Sequence, residues 1–103
     1  MTDNDIVNIY HNLSNRYSLI LTSSLAVGFK TTIDFPILRG TSSLGNFEMF
    51  VDDFPSFAFY AMRDNGDVFA HKHLQSIVEA KQAVADFMEG TLTLISFGQP
   101  YDN

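Results

Sequence analysis

Residues 64–90, DNGDVFAHKHLQSIVEAKQAVADFMEG, hold a turn, a strand and a helix in immediate succession, and their reading decides the fold. Ser76 and Glu79 stand three apart, so the Ser76 hydroxyl can accept from the Glu79 backbone N–H while the Glu79 carboxylate reaches back to the Ser76 N–H. Ile77, Ala80, Val84, Phe87 and Met88 then fall in helical register and make one apolar stripe. Gly90 follows the last of them, where a left-handed closing residue costs glycine least. Ahead of the helix, Asp64-Asn65-Gly66-Asp67 contains Asn-Gly, a hairpin signal in which both central residues of a type I′ turn take positive φ. Val68 to His71 is the strand that returns from it.

Working backwards, Ser56 to Arg63 alternates and pairs across that turn. Phe57, Phe59 and Ala61 share one face, Ala58, Tyr60 and Met62 the other. Asp52-Asp53-Phe54-Pro55 reverses the chain before it. The preceding run sets Phe47, Met49 and Val51 against Glu48, Phe50 and Asp52. Gly40 to Asn46 is expected to be a loop. Phe29 to Leu38 is an alternating strand whose Pro36 cannot donate to a ladder, which argues for an edge position or a strand end.

At the N-terminus, residues 3 to about 22 are expected to form one amphipathic helix. Ile6, Tyr10, Leu13, Tyr17 and Ile20 are spaced 4-3-4-3, with Val7, Ile9 and Leu21 widening the stripe. Thr2, Asp3 and Asp5 supply caps and negative charge at its start. After Gly90, Thr91 to Phe97 alternates weakly and is a candidate fifth strand, and 98–103 is expected to be a loose tail. The expected architecture is a single α+β domain over residues 1–103. An N-terminal helix precedes an antiparallel meander of four to five strands, and a C-terminal helix packs on the sheet.

Composition excludes several function classes. The chain has no cysteine, so disulfides, thiolate zinc sites and thiol nucleophiles are ruled out. Its net charge is −6 and its six basic residues are scattered, so no basic patch points to nucleic acid or to an anionic membrane surface. The start Met1-Thr2-Asp3-Asn4-Asp5 lacks the positive charge of a signal peptide, and the apolar run from Tyr17 to Phe29 is too short to span a bilayer. A cytoplasmic location without a cofactor is expected.

Several motifs compete with plainer readings. His71 and His73 are two apart on an extended segment, hence on one side of it, which is chelating geometry for a divalent transition metal. Such a site needs a third donor, from His11, Glu48 or another carboxylate. The commoner reading is a pair of partly exposed polar residues just before a helix. Residues 64–75 do not make a calcium loop: the twelfth position is Gln75, and glycine stands third instead of sixth. Gly40 to Gly45 has the outer glycine spacing of a phosphate loop but is followed by Asn46-Phe47. No serine sits in Gly-x-Ser-x-Gly, although a serine, His71 and an aspartate could still converge in space.

The remaining feature is the surplus of large apolar residues on the sheet. Either both faces are buried inside the monomer, one helix on each, or an aromatic patch containing Phe50, Tyr60, Met62 and Phe69 forms an interface. The acidic, small, cysteine-free character is similar to that of many accessory proteins, toxin-neutralising immunity proteins among them; that similarity is one of composition and transfers no residue. The expected function is a non-enzymatic protein-binding or regulatory module that forms a homodimer and favours a basic partner. The alternative is a small enzyme or a metal- or ligand-binding protein using His71 and His73. A third reading, mimicry of nucleic acid, requires Glu48, Asp52, Asp53, Asp64 and Asp67 on one contiguous surface.

Overall fold

The computed structural model describes residues 1–27, 32–52 and 55–92, without the side chains of 24–34. The elements are α1 (Asp3–Leu13), β1 (Leu19–Val27), β2 (Thr32–Ser42), β3 (Gly45–Val51), β4 (Phe57–Met62), β5 (Val68–Leu74) and α2 (Ile77–Met88). The strands pair in chain order as one antiparallel five-stranded meander. This is the expected α+β architecture, with the C-terminal helix on the sheet. Among the described residues no helix is long and apolar enough to cross a membrane.

The N-terminal helix stops at Leu13, and from Leu19 the end of the stretch expected to continue it opens β1, which runs on to Val27. Arg16 N–H and Tyr17 N–H both donate to the Leu13 carbonyl, closing the helix among the poor helix formers Ser14 and Asn15. From there Leu19 and Leu21 turn to the core while Ile20 is 59% exposed, so a period of two displaces the period of 3.6. Tyr17 anchors the crossing by donating its hydroxyl to the Glu89 carboxylate beyond α2. At the start of α1, Thr2 N–H donates to the Asp5 carboxylate at 2.9 Å. The fifth strand therefore lies at the front of the meander. Thr91 and Leu92 are not in a strand, and the rest of 91–97, with 98–103, lies outside the described residues.

The stretch from Gly40 to Asn46 is a tight hairpin. β2 runs through Gly40 to Ser42 and β3 begins at Gly45, whose φ is +125°. Gly40 is required in the strand by crowding. A Cβ there would stand 2.5 Å from Phe47 Cε1 and 2.8 Å from Met88 Sδ. Pro36 lies where β2 has β1 on one side and no longer pairs with β3 on the other, since that ladder begins at Leu38.

At the Asn-Gly turn only Gly66 has positive φ, at +92°, so the turn is not type I′. Gly66 N–H bonds Arg63 O and Arg63 N–H bonds Asp67 O, both at 2.8 Å, while the Asn65 side chain accepts from Asp67 N–H at 3.0 Å. This is the longer hairpin loop that ends on a glycine, and a register shift between Ala61 and Met62 follows it into the sheet.

Both helices pack on the same face of the sheet. Ile6, Ile9 and Leu13 of α1 and Ala80, Ala83, Val84 and Phe87 of α2 join Leu38, Phe47, Met49, Phe57, Phe59, Ala61, Ala70 and Leu74 in one buried cluster. The arrangement with one helix on each face is excluded. Phe87 stands edge-on to Phe47 and Phe59, with ring centroids 5.3 and 6.1 Å away. The Ser76 hydroxyl accepts from Glu79 N–H as expected, but the Glu79 carboxylate reaches Gln75 N–H instead of Ser76 N–H. Ile77 is 41% exposed and is not part of the buried stripe, where Ala83 takes its place. Gly90 closes α2 at φ +75°.

Candidate functional site

The face of the sheet turned away from both helices gathers the chemistry. Strand register puts Arg39, Glu48, Tyr60 and His71 in one cross-strand row, and Phe50, Ala58 and His73 in the next. Alternation explains the assignment, because each of these residues neighbours a core residue in its own strand. The rings form a continuous ladder. Phe35 meets Phe50 at 5.6 Å, Phe50 stacks on Tyr60 at 5.8 Å, Tyr60 stacks on His71 at 4.3 Å, and His71 meets His73 edge-on at 4.8 Å. Arg39 and Glu48 make an ion pair of 2.9 Å within the first row.

Phe50, Tyr60 and Met62 thus share this face and are partly exposed. Phe69 is placed differently. It occupies the register shift, packs against the buried cluster, and has the Arg63 guanidinium 5.1 Å from its ring centre.

At one end of the rows the chain builds a polar lock. Asp52 is the first residue beyond β3, Ser56 the last before β4, and His73 lies in β5. Ser56 N–H and Ser56 Oγ both lie 2.9 Å from Asp52 Oδ1, and Oγ is equally close to Oδ2. Asp52 N–H in turn bonds Ser56 O at 3.0 Å, so the reversal is closed by backbone and side chain together. His73 Nδ1 is 2.7 Å from Asp52 Oδ2 and 3.1 Å from Ser56 Oγ. A carboxylate only accepts, so Nδ1 carries the proton. Ser56 is fully buried.

A serine, a histidine and an aspartate therefore do converge, but the histidine is His73, not His71. The trio is not a nucleophilic triad. In that arrangement the serine meets Nε2 while the aspartate holds Nδ1, whereas here both meet Nδ1 and the hydroxyl has no route to a substrate. Sequence reasoning named Asp52 and His73 but missed Ser56. An aspartate and a serine four apart across a chain reversal were the signal available.

His71 is held below the ordinary histidine pKa by burial first and by neighbouring His73 second, with Asp52 pulling the other way. The two imidazoles share a face, as their spacing requires. Among the described residues, however, no group of three His, Asp or Glu side chains is placed to hold one metal ion. Glu48 is separated from His71 by Tyr60 in the row and is engaged by Arg39, and His11 lies on α1, which packs on the opposite face. The acidic residues do not form one surface either: Asp52 lies at one end of β3, and Asp64 and Asp67 lie in the turn at the other. Asp53 is outside the described residues.

The chain matches no family model, no curated protein and no solved structure.

Proposed function

We propose that this protein is a non-enzymatic protein-binding module that self-associates, with the helix-free face of its sheet as the docking surface and a second copy as the occupant. The observation that carries this reading is the layering. Both helices pack on one face, while partly exposed Phe35, Phe50, Tyr60 and Met62 and exposed Ile20 line the other. Aromatic and methionine side chains are enriched at interface cores, and monomers seldom leave such patches in water. A second copy fits because the face carries both signs of charge side by side in Arg39 and Glu48. A two-fold axis can set each cation against the other copy's anion. Where a different protein takes that place, the net charge of −6 favours a basic one.

Sedimentation equilibrium at micromolar concentration tests the proposal. The wild-type chain is expected to be heavier than a monomer. Tyr60→Glu is expected to lower the average mass without changing the far-UV circular dichroism, because a charge buried without a partner is costly. Met62→Glu, at the end of the same face, is the alternative should Tyr60→Glu fail to fold. A wild-type monomer at high concentration, or masses unchanged by both variants, overturns the reading.

A further inference from the structure

The meander leaves two edges, and the chain treats them differently. β5 is broken by the register shift beside Phe69 and carries His71, Lys72 and His73, devices that discourage a further strand from pairing. β1 has none of them. Its nine residues, LILTSSLAV, contain no charge, no proline and no glycine. They pair with β2 in unbroken register from Leu19↔Gly40 to Val27↔Thr32. Among the described residues no strand lies on the outer side of β1. A regular, uncharged edge of this length is a template for another strand, because every second residue directs its backbone N–H and C=O away from the sheet.

The sequence of β1 also says which strand fits. It is close to a palindrome about Ser23. Antiparallel pairing across a two-fold axis at Ser23 sets Leu19 opposite Val27, Ile20 opposite Ala26, Leu21 opposite Leu25 and Thr22 opposite Ser24, like against like. Two copies of a chain with net charge −6 repel across most of their surfaces, but this strand brings no charged residue to the contact. The last described residue, Leu92, lines a shallow groove with Lys72 and Leu74 of β5 and Glu79, Gln82 and Asp86 of α2, at the opposite side of the sheet from β1.

We propose that the outer edge of β1 is a strand-pairing site whose occupant is β1 of a second copy, so that one sheet continues through both chains. This contact is separate from the face-to-face docking proposed above, and either can exist without the other.

Two variants separate them. Ser23 is exposed in the single chain, so Ser23→Lys is tolerated by the fold, yet it places two lysines directly opposite each other across the axis. It is expected to weaken edge pairing about tenfold. In sedimentation equilibrium, Tyr60→Glu is expected to remain a dimer through β1, and the double variant Tyr60→Glu/Ser23→Lys to be a monomer. Hydrogen exchange of the amides of residues 19–27 is expected to slow as the concentration of Tyr60→Glu rises. A monomeric Tyr60→Glu whose β1 amides exchange at a concentration-independent rate overturns the edge proposal and leaves the face reading standing. A wild-type dimer that Tyr60→Glu does not affect and Ser23→Lys dissociates does the reverse.

Discussion

The lock at Asp52, Ser56 and His73 makes an ordered set of stability changes that its geometry dictates. Ser56→Ala removes one hydroxyl. The Asp52 carboxylate keeps the Ser56 backbone N–H at 2.9 Å and His73 Nδ1 at 2.7 Å. A hydrogen bond to a charged group contributes about 1.5–3 kcal/mol, and with two donors retained the expected loss lies near the lower end, about 1.5 kcal/mol. Asp52→Ala is more severe, because it takes the acceptor from Ser56 N–H, Ser56 Oγ and His73 Nδ1 together and leaves a fully buried hydroxyl without it. The expected loss is about 3–5 kcal/mol. His73→Ala should cost least. Its side chain is 38% exposed, so solvent screens the contact, which contributes about 0.2–1 kcal/mol. Urea denaturation at pH 7 measures all three, with the slope checked for constancy so that a shifted midpoint reports stability alone. Should Asp52→Ala be too unstable to follow, Asp52→Asn keeps one carbonyl acceptor and is expected between Ser56→Ala and Asp52→Ala. A His73→Ala loss as large as that of Asp52→Ala would falsify the reasoning: the imidazole, and not the buried serine, would then hold the carboxylate.

Two further perturbations test other parts of the structure. His71 has a lowered pKa in the fold, so between that value and the unfolded value of about 6.5 the unfolded chain binds more protons. Its contribution to stability is complete above about pH 6.5, falls as the pH drops below that, and levels off below the folded pKa. The decline in urea midpoint from pH 7.5 to 5.5 is expected to be shallower in His71→Gln, and an identical slope would remove His71 as its source. Gly40→Ala drives a methyl group to within 2.5 Å of the buried Phe47 ring. It is expected to cost about 1–3 kcal/mol by overpacking, and a thermal midpoint equal to wild type would show that β2 can shift away from Phe47.

How much of this was legible before the structure depends on the range of the interactions concerned. The last helix was, because its signals lie within a few residues of each other: Ser76 facing Glu79 N–H, and Gly90 at positive φ. The pairing of β3, β4 and β5 was legible for the same reason, since short turns join alternating runs. The end of the first helix was not. Leu13, Tyr17 and Ile20 satisfy a helical period, while Leu19 and Leu21 satisfy a strand period, and residues 17–21 fit both. Only the neighbouring strand decides, through the Leu19↔Gly40 and Leu21↔Leu38 pairings that local sequence does not contain. The lock is hidden by the same distance. The spacing of His71 and His73 put both on one face, but nothing near His73 announces a carboxylate 21 residues earlier.

The helix-free face follows from a simple count of widths. Adjacent strands lie about 4.8 Å apart, so a five-stranded sheet is about 19 Å across, and two helices side by side at about 10 Å each cover that width once. With both helices on one face, the described residues hold no third helix for the other. Among the described residues, that face manages its apolar surface with side chains alone. It does so in part: Ala58, flanked in its row by Phe50 and His73, is 1% exposed, and Ile37, between Phe35 and Arg39 along β2, is 5% exposed. Large rings standing on neighbouring strands shield the small residues between them but leave their own outer surfaces for something else to cover. Placing His71, whose charged form is disfavoured there, and an internally satisfied Arg39–Glu48 pair among those rings keeps net charge off the patch near neutral pH. Asp64 and Asp67 stay in the turn at one end, and Asp52 is tied to Ser56 and His73 at the other, a charge distribution that the docking proposed above would use.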